Sequence, residues 1–307
     1  MLGMDTGPVP DNEVHPDLRR IARIAPRRLV GPRTLPLMRR VLKVRGRLGG
    51  PGDIQALTLP SGVGVRLYRP AGLEGRGPAL LWIHGGGYVL GTAQQDDGLV
   101  RRFGEKLGIT VASVEYRLAP EHPYPAPLED CYAALRWLAE LPAVDPARVA
   151  IGGASAGGGL AAALALLARD RGEIAPAFQL LVYPMLDDRS ATTPARPTYR
   201  MWDPRANQFG WAAYLGNADP AEAVPARRTD LSGVPPAWIG VGTHDLFHDE
   251  DLAYAQRLTN AGVPCQVEVV PGAFHGFDLV VPKNPVSQRF FAAQCDALRG
   301  ALVPAAS

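Results

Sequence analysis

The 307-residue chain carries a formal net charge of +2, with 47% hydrophobic and 20% charged residues. That balance fits a soluble globular protein with one large α/β domain or two small ones, and it implies no nucleic acid or other polyanion as partner. No apolar run is long enough to cross a membrane, so no membrane insertion is expected.

The cysteines Cys131, Cys265 and Cys295 are far apart and odd in number. They suggest a reducing, cytoplasmic setting, not a disulfide framework. No apolar stretch follows the first basic residues, so no signal peptide is expected.

Residues 1–50 differ in pattern from the rest. Residues 17–24 read as one amphipathic helix, and residues 35–44 as a second, broken near Pro36. Apolar residues at helical spacing, with arginine opposite, fit helices lying on another surface. From residue 54 the pattern becomes strand-like. Segments 55–59 and 63–69 alternate around Ser61-Gly62 and predict an antiparallel pair. Segment 79–83 is continuously apolar, as in a buried central strand, and 109–115 is another. Apolar residues at i, i+3 and i+4 predict a helix over 128–141. Further strands are expected at 148–152, 178–183, 237–242 and 266–270, with helices at 156–168, 250–260 and 287–302. This alternation predicts an α/β fold: a mostly parallel central sheet with helices on both faces. Residues 187–230, rich in Pro, Arg, Ala and aromatics, interrupt it and read as a helical insertion. No internal repeat is present.

The chemistry centres on Gly153-Ala154-Ser155-Ala156-Gly157, between a short apolar strand and an Ala/Leu-rich helix. A tight strand-to-helix turn crowds the neighbours of its apex residue, and flanking glycines remove the Cβ atoms that would clash. The hydroxyl of Ser155 is then lifted to a helix N-terminus, where negative charge is favoured. By itself the motif is also compatible with plain packing. A nucleophilic serine needs a base, an acid to orient the base, and donors for an oxyanion.

Candidates exist for each. His84-Gly85-Gly86-Gly87 follows the strand at 79–83, so Gly85 and Gly86, with Ala156, can supply oxyanion N–H groups. Of six histidines, His275 lies in a glycine-bracketed loop after the last strand, where a base belongs in the chain order Ser, Asp, His. Asp245, just past the strand at 237–242, is the orienting acid. Asp249 and Glu250 read as caps of the following helix. His244 and His248 are four apart, but no third ligand is evident, so no metal site is assigned and both read as partly exposed loop residues.

With these residues in hand, the chain resembles the bacterial hormone-sensitive-lipase-like esterases of the α/β-hydrolase superfamily, from about residue 80 to 277. The matching stretches are His84-Gly-Gly-Gly-Tyr-Val-Leu-Gly91, Val114-Glu-Tyr-Arg-Leu-Ala-Pro-Glu-His-Pro-Tyr-Pro-Ala126, Gly153-Ala-Ser-Ala-Gly-Gly158, Asp245-Leu-Phe-His-Asp-Glu250 and Phe274-His-Gly-Phe277. The resemblance implies hydrolysis of small carboxylic esters without a cofactor. It also implies a helical cap made from residues 1–50 and 187–230, over a hydrolase core of 51–186 and 231–307. The insertion's Trp202, Phe209, Trp211 and Tyr214, with Tyr88, are then expected to wall a pocket for short to medium acyl chains. The family often has Asp or Thr where Ala154 stands and Asn where Gly159 stands. The stretch from Tyr116 to His122 is expected to brace the oxyanion loop. An amidase or acyltransferase on the same triad stays open. A non-catalytic binding protein is disfavoured because His275 is present. The last strand is an edge available for homodimer pairing.

Overall fold

In the computed structural model, which describes residues 14–47 and 52–302, the strands are β1 (Ile54–Thr58), β2 (Gly64–Tyr68), β3 (Gly77–Ile83), β4 (Thr110–Glu115), β5 (Val144–Ala154), β6 (Phe178–Val182), β7 (Ala237–His244) and β8 (Cys265–Phe274). They form one sheet in the order β1-β2-β4-β3-β5-β6-β7-β8. The β1–β2 and β2–β4 pairs are antiparallel, and every pair from β4 onward is parallel. Residues 1–13 and 48–50 of the N-terminal arm lie outside the described residues.

The helices are α1 (Arg19–Ile24), α2 (Leu35–Arg47), α3 (Asp97–Leu107), α4 (Ala126–Glu140), α5 (Ala156–Arg171), α6 (Pro204–Leu215), α7 (Pro220–Ala223), α8 (His248–Asn260), α9 (Phe277–Val280) and α10 (Pro285–Leu302). The sheet divides two cores, which explains why β3 is apolar throughout. Ala79, Leu81 and Ile83 face the core shared with α4, α5 and α8, while Leu80 and Trp82 face the core of α3 and α10. A strand covered on both sides has no face to leave polar. The insertion packs on the first core through Trp202, Trp211 and Tyr214, and α1 packs on the second through Ala22.

One element was missed and two sequence expectations need correction. Residues 97–107 form α3, which the pattern did not announce; its buried Val100 and Phe103 sit among charged neighbours. Helix α2 is continuous, because Pro36 falls in its first turn, where a missing N–H forfeits no intrahelical bond. Strand β8 extends past Pro271-Gly272 to Phe274. The register shift opposite Gly242 and His244 absorbs this pair as a bulge, and Gly272 N–H donates to Thr243 Oγ1 at 2.8 Å.

Helix α3 is fastened to β2 by a bidentate pair. Arg66 Nε and Nη2 donate to the two oxygens of Asp97, each at 2.6 Å, with side chains 16% and 6% exposed. Removing one partner strands the other charge, so Asp97→Ala should destabilise by about 3 kcal/mol. The double replacement Arg66→Met with Asp97→Leu should recover more than half of that loss. Denaturant titration of the three variants checks this, and an additive double mutant would show that the pair is uncoupled.

Candidate active site

Strand β5 ends at Ala154, α5 begins at Ala156, and Ser155 stands between them with φ 58° and ψ −121°. L-residues rarely adopt this backbone. Three hydrogen bonds hold it: Ser155 N–H to Val182 O at 2.9 Å, and Gly159 and Met185 N–H to Ser155 O at 3.0 and 2.9 Å. The turn also brings α5 hard against β3, since a Cβ on Gly157 would lie 2.0 Å from Ile83 O.

Ser155 Oγ is 2.9 Å from His275 Nε2, and His275 Nδ1 is 2.8 Å from Asp245 Oδ2. With the ring proton on Nδ1, the imidazole donates to Asp245 and accepts from the serine hydroxyl. Asp245 Oδ1 accepts from Phe247 N–H at 3.0 Å, which fixes the carboxylate. All three residues are at most 7% exposed. They meet because β5, β7 and β8 are parallel, so the segments after them open at the same end of the sheet. Such a relay can remove the serine proton as its oxygen attacks an electrophile.

Residues that the sequence did not single out surround the imidazole. The rings of Tyr183 and Phe247 meet it edge-on, with centroids at 4.9 and 5.2 Å. Tyr183 O–H donates to Asp278 Oδ1 at 2.7 Å. Burial raises the Asp278 pKa, opposed by the Tyr183 hydrogen bond and by His275. Deeper still, Asp96 accepts from the Trp82 indole N–H at 2.8 Å. Burial pushes Asp96 up to about 7, with Asp278 and Asp97 adding to the rise. No motif marks Tyr183 or Asp278; position alone, after β6 and after His275, would have found them.

Two of the three oxyanion candidates, Gly85 and Ala156, flank the elbow. A Cβ on Gly85 would sit 2.9 Å from Ala154 O and 3.4 Å from Ser155 Cβ, so the end of β3 lies directly on the elbow. Gly86 has φ 128°, and a Cβ there would lie 2.0 Å from Leu90 O. Ala156 is the first residue of α5, where N–H groups have no intrahelical acceptor. His84 is buried, stacks on Tyr116 at 4.2 Å, and donates from Nδ1 to Gly85 O at 2.9 Å. Burial holds its pKa down at about 4, so the ring is neutral at neutral pH. Tyr116 O–H donates to His84 O, and Arg39 of α2 donates to Val89 O, Ala119 O and Glu121. The stretch after β4 thus braces the glycine loop.

The five expected pocket residues divide. Tyr88, Trp211 and Tyr214 are at most 2% exposed. They pack on one another, Tyr88 stacking on Tyr214 at 4.1 Å. Phe209 is half-buried. Trp202 reaches the centre: its ring lies 6.5 Å from His275, and a Cβ on Gly87 would come within 2.1 Å of it. Partly exposed His248, and Asp249 in the first turn of α8, are as expected, whereas His244 and Glu250 are not. His244 is buried, because β7 runs on to pair it with Phe274. Glu250 is not a simple helix cap; its Oε1 accepts from Leu186 and Asp187 N–H at 2.7 and 3.1 Å, tying α8 to the segment after β6. Burial raises Glu250 to about 8. No group of three or more metal-ligating side chains occurs among the described residues.

The buried acids set a pH dependence of stability. The folded chain holds Asp96 protonated up to about 7, whereas unfolded Asp ionises near 3.8. The group's stabilising contribution is therefore complete below about pH 4 and is lost as pH rises through about 7. Relative to Asp96→Asn, the wild type should lose melting temperature between pH 5 and 8. Parallel thermal melts of the two proteins read this slope, and parallel curves would remove Asp96 as its source.

Residues 80–279 match a family described as the alpha/beta hydrolase fold. The esterase LipI of Mycobacterium tuberculosis is 38% identical over 234 residues, 72% of this chain and 73% of that protein. The carboxylesterase NlhH of the same organism is 40% identical over 233 residues, 71% and 73% of the two chains. Among solved structures, a bacterial heroin esterase superposes with a TM-score of 0.85 at 37% identity, covering 94% of this chain and 98% of its own. The chain belongs to the bacterial hormone-sensitive-lipase-like esterases of the α/β-hydrolase superfamily.

Proposed function

We propose that this carboxylic-ester hydrolase works through an acyl-enzyme on Ser155, with His275 as base and Asp245 as its orienter. The observation that carries the reading is the continuous relay Ser155–His275–Asp245 at 2.9 and 2.8 Å. His275 Nε2 takes the hydroxyl proton as Oγ attacks the ester carbon. The N–H groups of Gly85, Gly86 and Ala156 receive the developing oxyanion, aided by the α5 dipole. The imidazolium then protonates the departing alcohol, and water repeats the sequence to release the acid.

Residues 1–50 and 187–230 act together as the cap. In support, Arg28 binds Asp203 in bidentate fashion at 2.7 to 2.9 Å, Arg200 donates to Ala22 O, and Met201 N–H donates to Pro26 O. The cap carries Trp202 over the glycine loop, backed by the sealed layer of Tyr88, Trp211 and Tyr214. A wall so supported cannot yield to a long chain. Each added methylene gains about 0.8 kcal/mol while it fits, and the gain stops at the wall. Three free cysteines, Cys265 half-buried and the others buried, support a cytoplasmic setting. Strand β8 ends the sheet and exposes Val267 and Val269, which supports homodimer pairing along that edge.

Ser155→Ala should lower kcat by roughly a million-fold, as loss of triad nucleophiles does, while a phosphonate labels Ser155 in the wild type. On p-nitrophenyl esters of increasing acyl length, kcat/KM should peak at short to medium chains, and Trp202→Ala should move the peak to longer ones. Label on another residue, or best activity on emulsified long-chain fats, defeats the assignment. For assembly, Val269→Lys should convert a dimer to a monomer by light scattering; a wild-type monomer rejects the edge pairing.

A further inference from the structure

Helix α6 and the segment before it meet the N-terminal arm, just after α1, in an open cleft of about 390 Å³. Its walls carry Arg27, Arg28, Arg196 and Arg205, together with Tyr199 and Asp203. The only acid among these residues is already used. Asp203 caps α6 by accepting from Ala206 N–H at 2.8 Å and takes both donors of Arg28. Arg196 reaches exposed Asp249 only at 3.9 Å, and Arg27 and Arg205 have no ion pair among the described residues. The cleft therefore holds more guanidinium charge than its acids neutralise. Arg200, beside it, feels this charge: burial first, and then Arg27, lower its pKa.

The cleft also adjoins the reacting centre. Tyr199, a buried wall residue, stands close enough to Asp245 for its phenol to sense that carboxylate. Trp202, between Tyr199 and Asp203 in the chain, lies 6.5 Å from His275. One face of this short segment thus looks toward the triad and the other lines the arginine cleft.

We propose that this cleft binds an anionic group, a carboxylate or phosphate, carried by the ester substrate at the end remote from the scissile bond. Arg27, Arg196 and Arg205 are its recognition residues. Guanidinium forks suit both oxyanions, because paired N–H donors match their planar or tetrahedral oxygens. The inference rests on the esterase reading above and deepens it, by naming the charge class of the substrate.

The test compares mono-p-nitrophenyl esters of straight-chain dicarboxylic acids, over a range of lengths, with the same compounds methyl-capped at the free acid. At the length that spans the cap, the acid should exceed its neutral counterpart in kcat/KM by about fivefold or more, the scale of a part-exposed charge-assisted hydrogen bond. Raising salt to roughly 0.5 M should shrink that ratio, since exposed charges are screened. Arg27→Gln combined with Arg205→Gln should bring the ratio to about one, while Arg136→Gln, on the far surface of α4, should leave it alone. A ratio of one or less at every length, or one unmoved by the double variant, overturns the proposal. Calorimetry on Ser155→Ala reads the site without turnover: the acid should bind more tightly than its methyl ester, and equal binding overturns the proposal. Charge-selective binding to Ser155→Ala with no turnover of either ester by the wild type would keep the anion site and sink the esterase reading instead.

Discussion

The backbone of Ser155 is the constraint on which the rest of the site depends. A non-glycine residue at φ 58° and ψ −121° costs on the order of 1–3 kcal/mol, so it persists only where its surroundings leave no alternative. Here three different segments hold it. Val182 at the end of β6 accepts its N–H, Met185 beyond β6 and Gly159 in α5 donate to its carbonyl, and the end of β3 presses against Gly157. Each of these anchors is a consequence of the parallel sheet. Relaxing the turn would require pulling β3, β5 and β6 apart at their buried ends, where Ile83, Ala154 and Val182 are at most 3% exposed.

Strain elsewhere follows the same geography. The non-glycine residues with positive φ among the described residues are Tyr88, Ser155, Tyr183 and Met201. Tyr88 follows the glycine loop after β3, Tyr183 packs on His275, and Met201 precedes the tryptophan that approaches that imidazole. Unfavourable backbone thus falls at Ser155 itself and at residues on, or next in the chain to, those that pack around it and His275. Buried carboxyl groups are concentrated there too: Asp245, Asp278 and Asp96 each have a donor on at least one oxygen. A carboxyl in such a place is held protonated by burial or kept ionised by a cationic partner. Asp96, which faces only an indole N–H and other acids, is the first case.

The sequence made the strands legible because their burial on two faces leaves an unmistakable apolar run, as in residues 79–83. Glycine spacing and chain order pointed to Ser155, Asp245 and His275, three residues that the fold brings into one hydrogen-bonded row. Helix α3 escaped because its amphipathic face is short and its anchor, Arg66 to Asp97, links residues 31 positions apart. The extension of β8 escaped because Pro271-Gly272 has the local chemistry of a turn, and only pairing with β7 overrides it. The pocket expectation was coarse for a similar reason. Aromatic composition says that large rings gather in the insertion, but not that Tyr214 would be sealed against Tyr88 while Trp202 reached His275. Glu250 shows the same limit: its place in the first turn of α8 is local, yet its partners Leu186 and Asp187 are over sixty residues away.

The two departures from the family pattern have different physical weight. Ala154 replaces a polar residue at the end of β5 and simply joins the core beneath the elbow, 3% exposed. Gly159 is coupled to its surroundings. A Cβ at that position would lie 2.4 Å from the Tyr88 hydroxyl and 2.2 Å from Met185 O, and those two atoms are themselves hydrogen-bonded at 3.0 Å. The space that an asparagine side chain would enter is taken by the tip of Tyr88. Met185 in turn donates to Ser155 O. The phenol therefore reaches the backbone of Ser155 through one residue, from beside the glycine loop rather than from α5. Glycine at 159 and tyrosine at 88 form one solution to bracing the elbow, and asparagine at 159 would require both loss of the Tyr88 hydroxyl and displacement of the Met185 carbonyl, whose residue holds Ser155 O.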